Sequence, residues 1–218
     1  MSNPRALVFG RMDIPAEIED EFNDWYNKEH LAWRLERVPG YLFGRRYRAV
    51  EGTPKYVTLY DLASVDALTS EANLKLRAEE QSDPSPEFRR IRPRFQNFAR
   101  SVYGEITPEP VDYRPPEAGR ILLVAMLVPR PEHEEEYNEW YNTEHLPAIR
   151  SIEGVLSARR FRAVEGEPKY LALYDVTSLD VFNGEEYKTK RESPWADRIR
   201  SKLASRVRSV YERIFPAI

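Results

Sequence analysis

The sequence predicts an α+β protein made of two tandem repeats, each with the element order β-α-β-β-α-β, whose sheets pack against each other. The first observation is a motif, WYNKEHL at 25–31, which recurs as WYNTEHL at 140–146. The second is a longer match, RRYRAVEGTPKYVTLYDL at 45–62 against RRFRAVEGEPKYLALYDV at 159–176. A repeat of this length indicates a duplicated structural unit.

The composition narrows the class of protein and of partner. The chain has 218 residues with 41% hydrophobic and 32% charged residues, as expected for a globular protein. A net charge of −3 gives no field that would attract phosphates, so we expect neither nucleic acid nor a membrane as a partner. The sequence lacks cysteine, which removes disulfides and thiolate chemistry. No apolar signal segment stands at the start, so we expect a cytoplasmic protein.

A proline-rich stretch separates the repeats. The segment TPEPVDYRPPEAG at 107–119 contains four prolines, which favour an extended chain over a helix or strand. We therefore predict an N-terminal repeat at 1–107, a linker at 108–119 and a C-terminal repeat at 120–218.

The strands are predicted from apolar runs that are bounded by turn residues. Glu51-Gly52-Thr53-Pro54 is typical of a hairpin turn between the second and third strands. On the third strand Val57 and Leu59 alternate with Tyr56, Thr58 and Tyr60, so both sheet faces are apolar enough to be covered. The predicted strands are 6–12, 41–50, 55–62 and 98–106, then 121–128 and, at the end, 205–214.

The first helix of each repeat is predicted from apolar residues at three- and four-residue intervals. In the first repeat this pattern runs from Glu17 to Val38 and ends at Pro39-Gly40. Pro147 follows His145 by two residues and should kink the second helix, whereas Ala32 leaves the first helix whole. We expect the second pocket to be the more open one for this reason.

This order of elements is the ferredoxin-like unit. Two such units each leave one sheet face bare, and covering both faces gives an intrachain, pseudo-dimeric α/β barrel with its helices outside. The first helices then lie on opposite sides of the barrel. We expect His30 and His145 to be far apart and to serve two separate pockets, so no shared metal site is predicted.

The two motif histidines are the main candidates for chemistry. His30 and His145 occupy the same place in both repeats, while neighbours such as Lys28 and Thr143 differ. An imidazole can give or take a proton at neutral pH. Core packing is the competing interpretation for Trp25, Tyr26, Trp140 and Tyr141.

Tyrosines and arginines of the strands complete the candidate set. Tyr60 and Tyr174 are predicted to donate a hydrogen bond to a carbonyl or phenolate oxygen. The pairs Arg45-Arg46 and Arg159-Arg160 place one guanidinium on each face of the second strand. Arg46 in the first repeat and Arg160 in the second are the candidates for binding an anionic substrate. The alternative, for at least one arginine of each pair, is an ion pair with Asp61 or Asp175 or with a surface carboxylate.

At these residues the sequence resembles the EthD-like families of the dimeric α/β-barrel superfamily. Their first helix ends in an aromatic pair followed by His-Leu-Pro, as in Trp140 to Pro147 here; Ala32 departs from the proline in the first repeat. The resemblance implies pockets between sheet and helices, with His30 and His145 as acid/base groups and the motif aromatics as walls. Most members pair two chains, so fusion replaces that dimer here, and pairing of the fused chain into a homodimer stays open.

Three functions remain after the sequence analysis. The first is a small-molecule enzyme of the lyase, dehydratase, isomerase or cyclase type that needs no cofactor and acts on a carbonyl-bearing or phenolic substrate. The second is a haem- or oxygen-dependent monooxygenase-type enzyme of the same fold. The third is a non-catalytic module that binds a small ligand or takes part in a stress response.

Overall fold

Eight antiparallel strands form one closed barrel. A computed structural model describes residues 5–108 and 113–216. The strand order around the barrel is β1-β3-β2-β8-β5-β7-β6-β4. The strands are β1 (Ala6–Asp13), β2 (Tyr41–Glu51), β3 (Tyr56–Leu62), β4 (Gln96–Glu105), β5 (Ile121–Pro129), β6 (Val155–Glu165), β7 (Tyr170–Val176) and β8 (Leu203–Phe215).

The two halves of the chain meet at strand edges. Within each half the strands have the same order, β4-β1-β3-β2 and β8-β5-β7-β6. Antiparallel pairing of β2 with β8 and of β4 with β6 joins the halves. The predicted barrel is confirmed, and hydrogen bonding across both seams closes it, so that its strands leave no unpaired edge.

The helices cover the outside of the barrel. In the first half they are α1 (Glu19–Trp25), α2 (Leu31–Arg37), α3 (Glu71–Ser82) and α4 (Pro86–Ile91). In the second half they are α5 (Glu134–Trp140), α6 (Leu146–Arg150), α7 (Asp180–Asn183), α8 (Glu185–Lys190) and α9 (Pro194–Ser201). None of the helices within the described ranges is long and apolar enough to cross a membrane.

The alternation predicted for β3 is confirmed. Val57 and Leu59 belong to a core cluster inside the barrel, together with Leu171 and Leu173 of β7. Tyr56 and Tyr60 lie on the other face, in the cluster that packs under the helices of the first half. The predicted hairpin is also present, because β2 ends at Glu51 and β3 begins at Tyr56.

Close contact between helix and sheet depends on a glycine of β2. A Cβ built on Gly44 would lie 2.8 Å from Leu31 Cδ2, closer than side-chain atoms normally approach. Leu31 is the first residue of α2 and follows directly after His30. The absence of a side chain at this position therefore fixes how near the histidine lies to the sheet.

The barrel interior contains a buried ionic cluster that links the halves. Arg45 donates to Asp61 at 2.9 Å and to Asp175 at 3.0 Å, and Arg159 donates to Asp61 at 2.8 Å. The predicted pairing of these arginines with Asp61 and Asp175 is confirmed. Because Arg45 and Asp61 belong to the first half and Arg159 and Asp175 to the second, the cluster is shared between repeats.

The end of the linker takes part in this cluster. Residues 109–112 lie outside the described ranges, and Tyr113 is buried, with only 4% of its surface exposed. Its hydroxyl donates to Asp175 Oδ2 at 2.8 Å, and the Arg159 guanidinium lies 3.4 Å from its ring centre. The proposed boundary at 108–119 thus includes a residue that packs into the barrel.

Candidate functional site

The duplicated motif forms a π-helical turn in both halves. Tyr26–His30 and Tyr141–His145 are π-helical, each between two short α-helices. The helix predicted from Glu17 to Val38 is confirmed in extent, since helical residues run without a break from Ala16 to Arg37, but its backbone hydrogen bonds change to a five-residue spacing at the motif. The prediction that Ala32 leaves the first helix undisturbed is wrong, because that helix contains the same π turn without a proline. Such turns occur frequently at functional sites.

The π turn places each histidine ring against the tryptophan five residues before it. The ring centres of Trp25 and His30 are 4.8 Å apart, and those of Trp140 and His145 are 4.6 Å apart. A regular α-helix places residues four apart, not five apart, on one face. Tyr26 and Tyr141 contact the same histidines edge-on, so each imidazole lies between a tryptophan and a tyrosine.

A carboxylate and a serine hold each tryptophan in place. Trp25 Nε1 donates to Glu29 Oε1 at 3.0 Å, and Ser85 Oγ donates to the same oxygen at 2.5 Å. The second half repeats this contact with Trp140, Glu144 and Ser193. Ser85 and Ser193 also cap the helices that follow them. The glutamates of the motif are therefore structural.

Both motif histidines are neutral at physiological pH. Burial, followed by the charge of nearby arginines, lowers the pKa of His30 well below its usual 6.5. The same causes lower the pKa of His145 to about 3. Desolvation disfavours the charged imidazolium, and surrounding guanidinium groups add to this effect. Each ring therefore has one nitrogen that donates and one that accepts.

His30 lines a cavity of about 230 Å³ between the sheet and the helices of the first half. Four arginines and one glutamate provide its charged lining: Arg34, Arg77, Arg92, Arg100 and Glu80. Aromatic rings and an amide cover most of the rest: Tyr26, Tyr41, Tyr60, Phe88, Phe95, Phe98 and Asn73. The excess of positive charge over an aromatic wall suits an anionic, ring-containing molecule.

His145 lines a smaller cavity, of about 60 Å³, in the second half. Its walls include Trp140, Tyr141, Tyr174 and Tyr187, several aliphatic side chains, and the arginines Arg191, Arg200, Arg206 and Arg208. The expectation that the second pocket is the more open one is therefore wrong. It fails because the π turn occurs in both helices, so Pro147 does not distinguish the pockets.

Two cavity arginines occupy the same positions in both repeats. Arg92 and Arg100 correspond to Arg200 and Arg208 at a constant offset of 108 residues, which is also the offset between Ser85 and Ser193. The candidate residues from the sequence did not include them. The repeated tails carried the signal, but only the fold shows that these tails pass beside the motif histidines.

The strand tyrosines point their hydroxyls into buried surroundings. Tyr60 Oη is buried and has no hydrogen-bond partner among the described residues. Tyr174 Oη is in a short hydrogen bond with Tyr141 Oη. Burial raises the pKa of Tyr60 well above 10, with the nearby Tyr26 acting in the same direction. Both phenols therefore stay protonated and are able to donate to a ligand.

Arg46 and Arg160 lie beneath the motif helices, not on the walls of the two cavities. Arg46 donates to Asn23 Oδ1 at 2.8 Å and to Asn27 Oδ1 at 2.7 Å, and its guanidinium lies 4.4 Å from the Tyr26 ring centre. Arg160 repeats this contact with Asn138 and Asn142. Burial lowers the pKa of Arg46 to about 10 although nearby tyrosines oppose it. In this structure both arginines anchor the π turn to the sheet, and a role in substrate binding stays a prediction.

The other candidate side chains differ in whether they line a cavity. Trp25 is buried behind His30, whereas Trp140, Tyr141 and Tyr174 line the second cavity. Tyr26 and Tyr60 line the first cavity. Within residues 5–108 and 113–216, no three His, Asp or Glu side chains form a group that would hold a metal ion.

Comparisons with known proteins identify the fold. No family model and no curated protein matches the chain. Solved structures with the same fold do match, among them a proposed monooxygenase from Fusobacterium nucleatum with 10% identity and a TM-score of 0.64, over 98% of this chain and 94% of that one. An anthrone oxidase-like protein shares 12% identity, with a TM-score of 0.61, over 97% of this chain and 92% of that one. A chlorite dismutase variant from Candidatus Nitrospira defluvii shares 9%, with a TM-score of 0.60 and the same two coverages.

Proposed function

We propose that each half of the chain binds a small anionic molecule with an aromatic or carbonyl group and that the motif histidines take part in proton-transfer chemistry on it. The observation that carries the proposal is the retention of one set of side chains around two separate cavities. The set comprises Tyr26, His30, Tyr60, Arg92 and Arg100, matched by Tyr141, His145, Tyr174, Arg200 and Arg208. Elsewhere the walls differ, so packing alone does not account for the shared set.

The reaction class follows from these groups. A neutral imidazole nitrogen accepts a proton from a carbon next to a carbonyl. The electron pair of the broken C–H bond forms a carbon–carbon double bond, and the π pair of the carbonyl moves onto its oxygen. A phenol hydroxyl donates to that oxygen, and the arginines stabilise its negative charge. Return of the proton to another atom completes an isomerisation, and loss of a leaving group completes an elimination. A lyase or isomerase that needs no cofactor fits this sequence of steps.

We further propose that the two halves are tandem ferredoxin-like repeats of the EthD-like type, with the linker at 108–119 between them, and that the protein acts in the cytoplasm. The element order in each half and the Trp-Tyr-x-x-x-His motif support the repeat assignment.

Removal of both histidines tests the proposal. A protein with His30→Ala and His145→Ala is expected to lose about 10²- to 10⁴-fold in turnover of carbonyl and phenolic test compounds, followed by mass spectrometry. The single variants report which pocket is active. His133→Ala is the matched control, because His133 lies at the start of α5, outside both cavities. Undiminished turnover in the folded double variant would refute the proposal.

The cavity arginines give a second test, which does not require turnover. We expect Arg92→Gln to weaken the binding of benzoate about tenfold or more, measured by isothermal titration calorimetry, since a hydrogen bond to a charged group is lost. Neutral benzamide should bind equally to both forms. Arg89→Gln is the control, because Arg89 is exposed and lies near Asp83. Equal benzoate affinity in Arg92→Gln and in wild type would contradict the proposed anion recognition.

Oxygen-dependent oxidation is the second candidate, and the monooxygenase and oxidase-like names of the structural neighbours favour it. Here the histidine deprotonates the substrate, which is then oxidised while dioxygen is reduced. Oxygen consumption on addition of a substrate distinguishes this reaction from isomerisation. Haem does not fit the cavities as they stand, because a porphyrin macrocycle is far larger than a single aromatic ring and the two cavities measure about 230 and 60 Å³. A Soret band formed with hemin would reverse that conclusion, and saturable binding without any product would indicate the non-catalytic module.

A further inference from the structure

A buried arginine holds one face of the His30 ring. Arg34 Nη1 lies 3.3 Å from His30 Nδ1 and donates to the backbone oxygen of His30 at 2.8 Å. Arg34 Nη2 donates to Glu80 Oε2 at 2.8 Å. The side chains of Arg34 and Glu80 are only 14% and 10% exposed. Three contacts in a buried place leave the guanidinium little freedom to turn away from the ring.

These contacts decide which ring nitrogen carries the proton. A guanidinium has donors and no acceptor, so Nδ1 of His30 must accept the hydrogen bond. A neutral imidazole has a single N–H, which is then on Nε2. Glu80 Oε1 is 3.6 Å from Nδ1, which is too long for a hydrogen bond, so the glutamate does not compete for the ring proton.

The second half lacks this arrangement. The residue four positions after His145 is Ile149, which lines the second cavity and has no polar group. Neither ring nitrogen of His145 has a hydrogen-bond partner within the ranges the structure describes. The same motif therefore presents its histidine in two different settings, and the difference lies in one side chain of the following helix.

We propose that Arg34 is a positioning residue that keeps His30 as its Nε2–H tautomer, so that the first pocket presents a proton donor to an oxygen of its ligand. The ligand class is an anion with a carbonyl or phenolate oxygen, which accepts a hydrogen bond from Nε2–H while the cavity arginines balance its charge. His145 has no such constraint and is able to present an unprotonated nitrogen. The first pocket thus presents a neutral N–H that stabilises negative charge on the ligand oxygen, and the second retains the capacity for a general base. The use of the proton rests on the proposed function, whereas the tautomer itself does not.

Nitrogen NMR of the whole chain at pH 7.5 tests the proposal. Long-range ¹H–¹⁵N spectra distinguish a protonated from an unprotonated ring nitrogen, and His→Gln variants assign the three histidines. The wild-type spectrum should show His30 with a protonated Nε2 and an unprotonated Nδ1. The opposite pattern, or rapid averaging of both tautomers, would overturn the proposal without any variant.

Two variants and a control identify Arg34 as the cause. In Arg34→Met the freed Glu80 becomes the nearest acceptor for Nδ1, so His30 should change to the Nδ1–H tautomer. Ile149→Arg should move His145 to the Nε2–H tautomer, and Glu80→Gln should leave His30 unchanged because Arg34 is still present. An unaltered His30 pattern in folded Arg34→Met, with unchanged His145 signals, would refute the role of Arg34. Absence of turnover in every protein would refute the proposed function and leave the tautomer result standing.

Discussion

Replacement of Asp61 by asparagine is expected to lower the free energy of unfolding by about 3–5 kcal/mol, the usual cost of removing one partner from a buried ion pair. Asp61 accepts from Arg45 and is the sole carboxylate that pairs with Arg159 in the described part of the chain. All three side chains are nearly inaccessible to solvent. The change would therefore leave Arg159 as a buried cation without a counter-charge, and burial of an uncompensated charge is strongly unfavourable. Urea unfolding followed by circular dichroism measures the effect.

Asp175→Asn is the matched control for this prediction. Asp175 occupies the equivalent position in the second repeat but pairs only with Arg45, and its other oxygen accepts from Tyr113 and Ser157. Arg45 keeps Asp61 in this variant, so no arginine of the cluster is left without a carboxylate. We expect Asp175→Asn to lower the free energy of unfolding clearly less than Asp61→Asn does. Equal losses, or a loss below about 1 kcal/mol for Asp61→Asn, would show that the cluster does not connect the halves as the contacts indicate.

Acidification is expected to destabilise the protein through its motif histidines. The pKa of His145 is lowered by burial and nearby arginines to about 3 in the folded chain, against about 6.5 for an unfolded histidine. Between these values the unfolded state binds a proton that the folded state does not, so stability falls as the pH falls through 6.5 towards 3. From pH 7 to pH 5 the loss from this residue is about 2 kcal/mol. His30 acts in the same direction, because burial lowers its pKa as well.

The measurement compares how much the unfolding free energy decreases from pH 7 to pH 5 in wild type and in a variant that has no imidazole at position 145. In His145→Gln the decrease in unfolding free energy from pH 7 to pH 5 should be about 2 kcal/mol smaller than in wild type. Carboxylates titrate equally in both proteins, so the difference isolates the histidine. His133→Gln serves as the control, since His133 lies outside the cavities. An identical pH dependence in His145→Gln and wild type would contradict a buried, neutral imidazole.

The asymmetry of the two pockets bears on both proposals. Arg34 and Ile149 occupy equivalent positions in the two repeats. Arg34 places a positive charge and hydrogen-bond donors beside His30, whereas Ile149 places an apolar side chain beside His145. The first cavity is larger and more polar. If the pockets treat the same ligand differently, the single histidine variants should have unequal effects on turnover.

Much of the fold was predictable because the sequence contains the same pattern of elements twice. The repeat gave the order of elements, and the alternation on β3 gave the two faces of the sheet correctly, since side-chain direction along a strand follows from period alone. The π turn could not be predicted in this way. Its five-residue spacing arises within a motif whose apolar residues also fit an ordinary helix, so periodicity does not separate the two.

The sequence by itself determined the duplication, the strands and the histidines that merit attention, because these follow from residue type and local spacing. Only the tertiary structure decided what surrounds them. Arg92 and Arg100 lie far from His30 along the chain yet line the same cavity. The sequence does not distinguish Arg34 from other helix residues, and only the fold shows that it pairs with Glu80. Asp61 and Asp175 are equivalent in sequence and unequal in the barrel, because one linker residue, Tyr113, packs against only one of them. Contacts between distant segments depend on how the chain closes, which local patterns do not encode.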